Sequence, residues 1–317
     1  MSLPAGYRAR AATLADVDAT AQMHDAADLA LHGEAESSRL FVDETWRSSF
    51  VDLPTMTRLV LAPDGTVAAS ADLESAEPAS SIDGFVRVHP AHRGRGLGSW
   101  LIGWSEEAAA ALVPAEVATR LWNSVSAADH AGIELVRSRD NRQVRTFWHM
   151  RMELDPGTDP GPPPEGVQIR ASVEGRDDRG IYGSMDEAFV GHFGYVRIPF
   201  DRWWHEMRSS SSYDPAMILV AEEEGDIVGA SSQFENDGVG WVGEIGVLPK
   251  HQGRGIGRAL LRHALADLAG RGLRIAQLNV DSENERGAAR LYESVGMRAF
   301  RSWLVFEKLI VGTKLPA

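Results

Sequence analysis

Along the chain, short runs of alternating or β-branched apolar residues exchange with longer stretches whose apolar positions recur at helical spacing, and the whole succession occurs twice. The first half opens with Tyr7-Arg8-Ala9-Arg10-Ala11-Ala12 and the second with Val167-Gln168-Ile169-Arg170-Ala171-Ser172, each a predicted strand leading into an acidic, helix-starting stretch. Leu59-Val60-Leu61, a turn at Asp64-Gly65 and the run from Val67 predict a hairpin; residues 218–221, a turn at Glu224-Gly225 and Ile227-Val228 repeat it. Each half then offers a strand (85–88; 244–247), a glycine-rich loop, a helix (near 100–102; 259–261), a strand (119–122; 275–280), another helix and a closing strand, 144–150 in the first half. That order predicts an α/β fold of two similar domains, each a mixed sheet with helices on its faces. Proline and glycine crowd residues 156–166, where neither a helix nor a ladder can be sustained, so the expected division is 1–155, a linker 156–166, and 167–317.

The two loops read Val88-His89-Pro90-Ala91-His92-Arg93-Gly94-Arg95-Gly96-Leu97-Gly98 and Val247-Leu248-Pro249-Lys250-His251-Gln252-Gly253-Arg254-Gly255-Ile256-Gly257. A strand, a Gly/Arg loop and a helix in that order gather backbone N–H groups at a helix N-terminus, where unpaired amides and the macrodipole favour an anion. Glycine lets the backbone approach closely, and arginine adds charge suited to phosphate. The spacing of the glycines differs from that of dinucleotide-binding folds, and no Gly-Lys-Ser/Thr follows, which argues against a P-loop.

The pattern (Arg or Gln)-x-x-Gly-x-Gly, met by Arg93-Gly96-Gly98 and Gln252-Gly255-Gly257, resembles the pyrophosphate loop of the GNAT superfamily of acetyl-CoA-dependent N-acetyltransferases, in particular its tandem, two-domain members. The likeness extends over nearly all of both halves outside the linker. It implies a mostly antiparallel mixed sheet per domain, acetyl-CoA as co-substrate, and no metal. It also implies that Val88, Arg93, Gly94, Arg95, Gly96, Leu97 and Gly98 in the first half, and Val247, Gln252, Gly253, Arg254, Gly255, Ile256, Gly257 and Arg258 in the second, bind that co-substrate.

Past the second loop, Asn284 and Leu291-Tyr292-Glu293-x-x-Gly296 look like the signature that follows the fifth strand in this family. There the asparagine lies along CoA and the tyrosine hydroxyl near the thioester sulfur. Here the spacing from Asn284 to Tyr292 is one residue longer than in many members. A tyrosine O–H, with an ordinary pKa near 10, can serve as the acid for a departing thiolate. Glu244, on the strand entering the loop and on the same face as Gly246, is a candidate base; a solvated strand-end glutamate is the other reading. His192 and Trp204, with His205 nearby, fall where the family forms its acceptor wall. Either histidine could be the base instead, and the aromatics could equally be core. In the first half the same alignment puts Ser126 near the place of Asn284 and Val136 at that of Tyr292, with Asp140-Asn141 for Gly296-Met297. Valine has no proton to give. The first half therefore either binds acetyl-CoA without turnover or completes a scaffold.

Composition narrows the class further. A chain of 317 residues with 44% hydrophobic and 24% charged residues has the make-up of a globular protein long enough for two cores. No apolar run is long enough for a membrane span, and the N-terminus lacks the core of a signal peptide, so a cytoplasmic enzyme is expected. With no cysteine, disulfides, thiolate metal sites and a cysteine nucleophile are excluded. A net charge of −13 argues against nucleic acid and suits a cationic small-molecule amine as acceptor. The expectation is acetyl transfer to a primary amine in the second domain, with no covalent acyl-enzyme. The rivals are a non-catalytic acyl-CoA-binding or regulatory protein and an enzyme with a longer acyl donor.

Overall fold

The computed structural model describes residues 2–36, 38–284 and 287–312. In chain order the first set of elements is β1 (Arg8–Arg10), α1 (Val17–His32), α2 (Arg39–Arg47), α3 (Leu53–Met56), β2 (Thr57–Leu61), β3 (Val67–Glu74), β4 (Ser81–Val88), α4 (Leu97–Ala111), β5 (Ala118–Ser126), α5 (His130–Arg137) and β6 (Arg142–Glu153). The second set is β7 (Val167–Ala171), α6 (Asp178–Phe189), α7 (Phe200–Ser209), β8 (Ile218–Glu223), β9 (Asp226–Asn236), β10 (Val239–Val247), α8 (Ile256–Gly270), β11 (Ile275–Asp281), α9 (Ala288–Glu293) and β12 (Arg298–Val311). Both predicted hairpins are present, as β2–β3 and β8–β9.

The chain packs as two compact units, one holding the residues up to Thr146 with those from Ser302 onward, the other Phe147–Arg301. Among the described residues, unit 1 orders its strands β1-β2-β3-β4-β5 and ends on residues 303–311 of β12. Unit 2 orders them β7-β8-β9-β10-β11 and ends on residues 147–153 of β6. Each unit therefore takes its last strand from the opposite half of the sequence. In both sheets one pair is parallel, β4 with β5 and β10 with β11, because a helix crosses over between them; the other pairings are antiparallel. The fold is thus the mixed, mostly antiparallel α/β sheet with flanking helices that the order of elements predicts, built twice.

The cores show why the exchange holds. In unit 1, Phe306 is fully buried and packs with Ile102, Ile133 and Val136, while Ile310 joins Ile82, Ala109 and Leu121. In unit 2, Met150 is fully buried in the main core, where α8 presents Leu260, Leu261, Leu265 and Leu268 to the sheet. On the opposite face of unit 2, α6 sets Ile181 and Met185 against Ile218, Val220 and Ala230.

A fragment of residues 1–155 lacks the strand that pairs along Ala118–Ser126 and fills that core. We expect such a fragment to show no cooperative thermal unfolding, in contrast to the full chain. A cooperative melt from it would show that residues 303–311 are dispensable.

Candidate functional site

Both loops adopt the same backbone. Arg93 and Gln252 are extended, with φ of −64° and −67°. Gly94 and Gly253 follow at +74° and +76°, then Gly96 and Gly255 at +82° and +85°. These left-handed conformations are open to glycine and strained for other residues, which is why the pattern repeats. Gly96 and Gly255 are the N-caps of α4 and α8, no side chain caps either helix, and neither first turn carries an acid. The first amides of each helix thus have no intrahelical acceptor and lie at its positive end. This is a cradle for an anion such as a diphosphate, and the residues present fit one.

Several predicted ligands can contribute through backbone only. Leu97, Val247 and Ile256 turn their side chains into the cores. The Gln252 amide donates to the Val247 carbonyl at 2.9 Å and so braces the loop. Arg254 donates to both Glu223 oxygens, at 2.9 and 2.5 Å, and Arg258 to the Ser294 carbonyl at 3.2 Å. In unit 1, Arg95 donates to the Tyr7 hydroxyl at 3.1 Å and Arg93 pairs with Asp129 at 3.5 Å. Sequence reasoning missed Glu223 and Tyr7, which neighbour the loops only in space. It also missed a proline wall. A Cβ on Gly96 would lie 3.9 Å from the Pro4 ring, and one on Gly255 3.8 Å from Pro164. The signal was present in the sequence as Pro4-Ala5-Gly6 and Pro164-Glu165-Gly166, each a turn closed by its proline carbonyl.

Beyond the loops the sheets fork. β4 and β5 pair only from Ser81–Gly84 opposite Arg120–Asn123, and β10 and β11 only at Gly240–Trp241 opposite Ala276–Gln277. Past these points the parallel strands part, leaving a slot beside the loop. In unit 2, β10 carries a bulge: Val242 pairs with Gln233 and Glu244 with Ser232, so Gly243 has no partner residue. β4 runs past β3 in unbroken register.

Glu244 lies just after that bulge. Ile245 and Val247 pack into the α8 core. Gly246 faces the other way, toward α6: a Cβ there would meet Met185 Sδ at 2.8 Å and the Ser184 carbonyl oxygen at 3.0 Å. Glu244 shares that face, its amide donating to Ser232 Oγ at 3.2 Å, and desolvation pushes its carboxyl above the usual range. Tyr292 sits on α9, half-buried against the unit 2 core, and burial pushes its hydroxyl up to about 12. Leu291, its neighbour, rests on the loop, 3.8 Å from the position of a Cβ on Gly257. Asn284 closes the turn from β11 toward α9, its amide bonded to the Asp281 carbonyl at 3.1 Å.

The other candidates lie on α7 and in the connection that leads to it. His192 packs edge-on against Phe189, at 5.0 Å between centroids, in the connection from α6 to α7. Trp204 stacks on Phe200 and Trp203 along α7 and meets Tyr213 edge-on. Both side chains thus sit among aromatic rings.

Unit 1 keeps the frame of this site and changes its contents. Val136 accepts from the Asn141 amide at 3.2 Å as Tyr292 accepts from that of Met297 at 3.2 Å, so the two occupy one place. Leu135 covers Gly98 as Leu291 covers Gly257. Where Glu244 stands opposite Ser232, Phe85 stands opposite Asp72, and Arg87 takes the place of Gly246. A cleft of about 380 Å³ runs from Arg93, Gly94 and Gly96 along Val86 and Val88 to Asn123 and Ser126.

Each unit is thus a forked sheet that opens beside a glycine-rich anion cradle. The model of the acetyltransferase (GNAT) family matches the chain twice, over residues 21–139 and 181–297, and the chain belongs to that family as a tandem GNAT N-acetyltransferase. It is 32% identical to the mycothiol acetyltransferase of Thermobispora bispora over 285 residues, covering 86% of this chain and 90% of that one. The mycothiol acetyltransferase of Streptomyces avermitilis is also 32% identical, over 78% of each chain. Among solved structures, a GCN5-related N-acetyltransferase from Sphaerobacter thermophilus superposes with a TM-score of 0.83 at 34% identity, covering 99% of both chains. A tandem GNAT protein from the clavulanic acid biosynthesis pathway shares the fold, with a TM-score of 0.71 at 14% identity over 97% of this chain. The family uses acetyl-CoA. Among the described residues no helix is long and apolar enough to cross a membrane, and no cluster of three His, Asp or Glu could hold a metal.

Because α6 lies directly on Gly246, Gly246→Ala must displace helix backbone. We expect a loss of about 1–3 kcal/mol in urea unfolding; an unchanged midpoint would show that α6 can move at little cost.

Proposed function

We propose that unit 2 transfers an acetyl group from acetyl-CoA directly to the primary amine of a small molecule, and that unit 1 binds a CoA thioester without turning it over. The asymmetry of the two forks carries this reading: Tyr292, Glu244 and the bulge at Gly243 on one side, Val136, Phe85 and unbroken register on the other. Acetyl-CoA supplies the acyl group as a thioester, already activated toward an amine. The backbone of residues 252–258 holds its diphosphate at the start of α8, and the bulge frees backbone polar groups of β10 from the ladder to face the slot. Glu244 takes the proton that the attacking amine must lose; its raised pKa brings it closer to neutrality, where a base is most effective. Tyr292 is held protonated throughout the working range. Full transfer from so weak an acid is uphill, so its part is to donate to the sulfur as the bond to carbon breaks.

The mycothiol acetyltransferases among its relatives support a small-molecule acceptor. The net charge of −13 suits a cationic one, although such a balance also serves solubility. Binding by unit 1 is supported by its intact loop and by the cleft that continues from it.

Turnover of acetyl-CoA against a panel of amines, followed by thiol release, tests the assignment. Tyr292→Phe should lower kcat by roughly 10- to 1,000-fold while leaving the Kd for CoA nearly unchanged; a rate like wild type removes Tyr292 from the reaction. Glu244→Gln should lower kcat/KM and abolish its acidic limb. That limb, in the wild type, should lie above the ordinary carboxylate pKa, because activity needs the ionised base and burial raises its pKa. If the limb persists in the variant, the base lies elsewhere.

A further inference from the structure

The inner end of the unit 1 slot differs in kind from its counterpart. In unit 2, Leu278 follows the last paired residue of β11, and Met297 closes the turn after α9; both are buried in the main core. Setting aside the bulge residue Gly243, strand register puts Asn123 where Leu278 stands, and the shared helix-closing bond puts Asn141 where Met297 stands. An apolar pair in one unit is thus an amide pair in the other, and both amides are buried, Asn123 2% and Asn141 5% exposed.

The pair is incompletely satisfied. Asn123 Nδ2 donates to Asn141 Oδ1 at 3.0 Å, and Asn141 Nδ2 donates to the Arg139 carbonyl at 3.2 Å. Asn123 Oδ1 is buried with no hydrogen-bond partner. It lies at the apex of the fork, where a Cβ on Gly84 would come within 3.1 Å of it, and Asn123 lines the cleft. A buried acceptor without a donor costs stability, whereas the leucine of the sister unit would cost nothing there. The remaining lining suits an acyl chain: Ile102, Val125, Leu135 and Val136 are apolar, and valine at 136 leaves space that a tyrosine ring would fill. Arg87 lines the slot and is paired with the buried Asp28, 3.9 Å away, so this wall presents little net charge and suits a neutral donor.

We infer that the fork of unit 1 is a selective site for acyl-CoA thioesters whose acyl chain carries a hydroxyl group, the hydroxyl donating to Asn123 Oδ1. The inference rests on the reading that residues 93–98 hold the diphosphate of a CoA thioester. Unit 1 then responds to a hydroxyacyl-CoA while unit 2 consumes acetyl-CoA.

The test is calorimetric titration of the full-length Gly255→Glu protein, whose second loop is blocked, with 3-hydroxybutyryl-CoA, butyryl-CoA and CoA. The hydroxy ester should bind at least fivefold more tightly than butyryl-CoA. Asn123→Leu should bring the two within twofold while CoA still binds. The double substitution Asn123→Leu with Asn141→Met, which rebuilds the apolar pair of unit 2, should do the same and serves if the single variant does not fold. Equal affinities in the Gly255→Glu protein, or a preference that survives both variants, overturn the hydroxyl assignment alone. If none of the three binds, and wild type takes up one equivalent of CoA, the reading of the first loop fails and the inference with it.

Discussion

Parallel pairing between β10 and β11 stops after two residue pairs, and that early stop is the constraint on which the rest depends. A parallel ladder interrupted inside a sheet leaves backbone edges unpaired in the middle of the protein, a costly arrangement unless something else occupies them. The crossover helix limits the cost by keeping the outer faces of the forked strands packed, as Val247 and Val280 are in the unit 2 core. The slot is then a property of the backbone, present before any catalytic side chain is placed. The glycine conformations at its mouth, matched within a few degrees between the units, are the second half of the same device.

One frame built twice shows what each substitution does. Where the frame is equal, as in the bond that closes α5 on Val136 and α9 on Tyr292, the difference in side chain decides the chemistry. Unit 2 keeps an ionisable carboxyl, a phenol and a bulged strand around its fork. Unit 1 has Phe85, Val136 and regular pairing at those places, and an amide pair where unit 2 has Leu278 and Met297. The two forks thus share a backbone and differ in the polarity of what lines them.

The exchange of closing strands makes each core depend on both halves of the sequence. Phe306, encoded near the end of the chain, is buried beside Val136, and Met150, encoded before the linker, is buried beneath α8. Damage to either closing strand therefore reaches the core of the unit whose remaining strands come from the other half of the sequence.

Local order was legible in the residues themselves. The hairpins, the loops and their helices, and the strand carrying Glu244 all follow from patterns within about twenty residues, because turn chemistry, glycine φ and helical periodicity act over that range. What the sequence could not contain was pairing between distant segments. The bulge at Gly243 exists only against Ser232 and Gln233. Glu223 reaches Arg254, and Tyr7 reaches Arg95, only once the strands are laid side by side. The choice of closing strand was likewise hidden: residues 144–150 read as the strand that closes the first half, whereas the core each strand fills, a sum of many weak contacts, gives that place to residues 303–311.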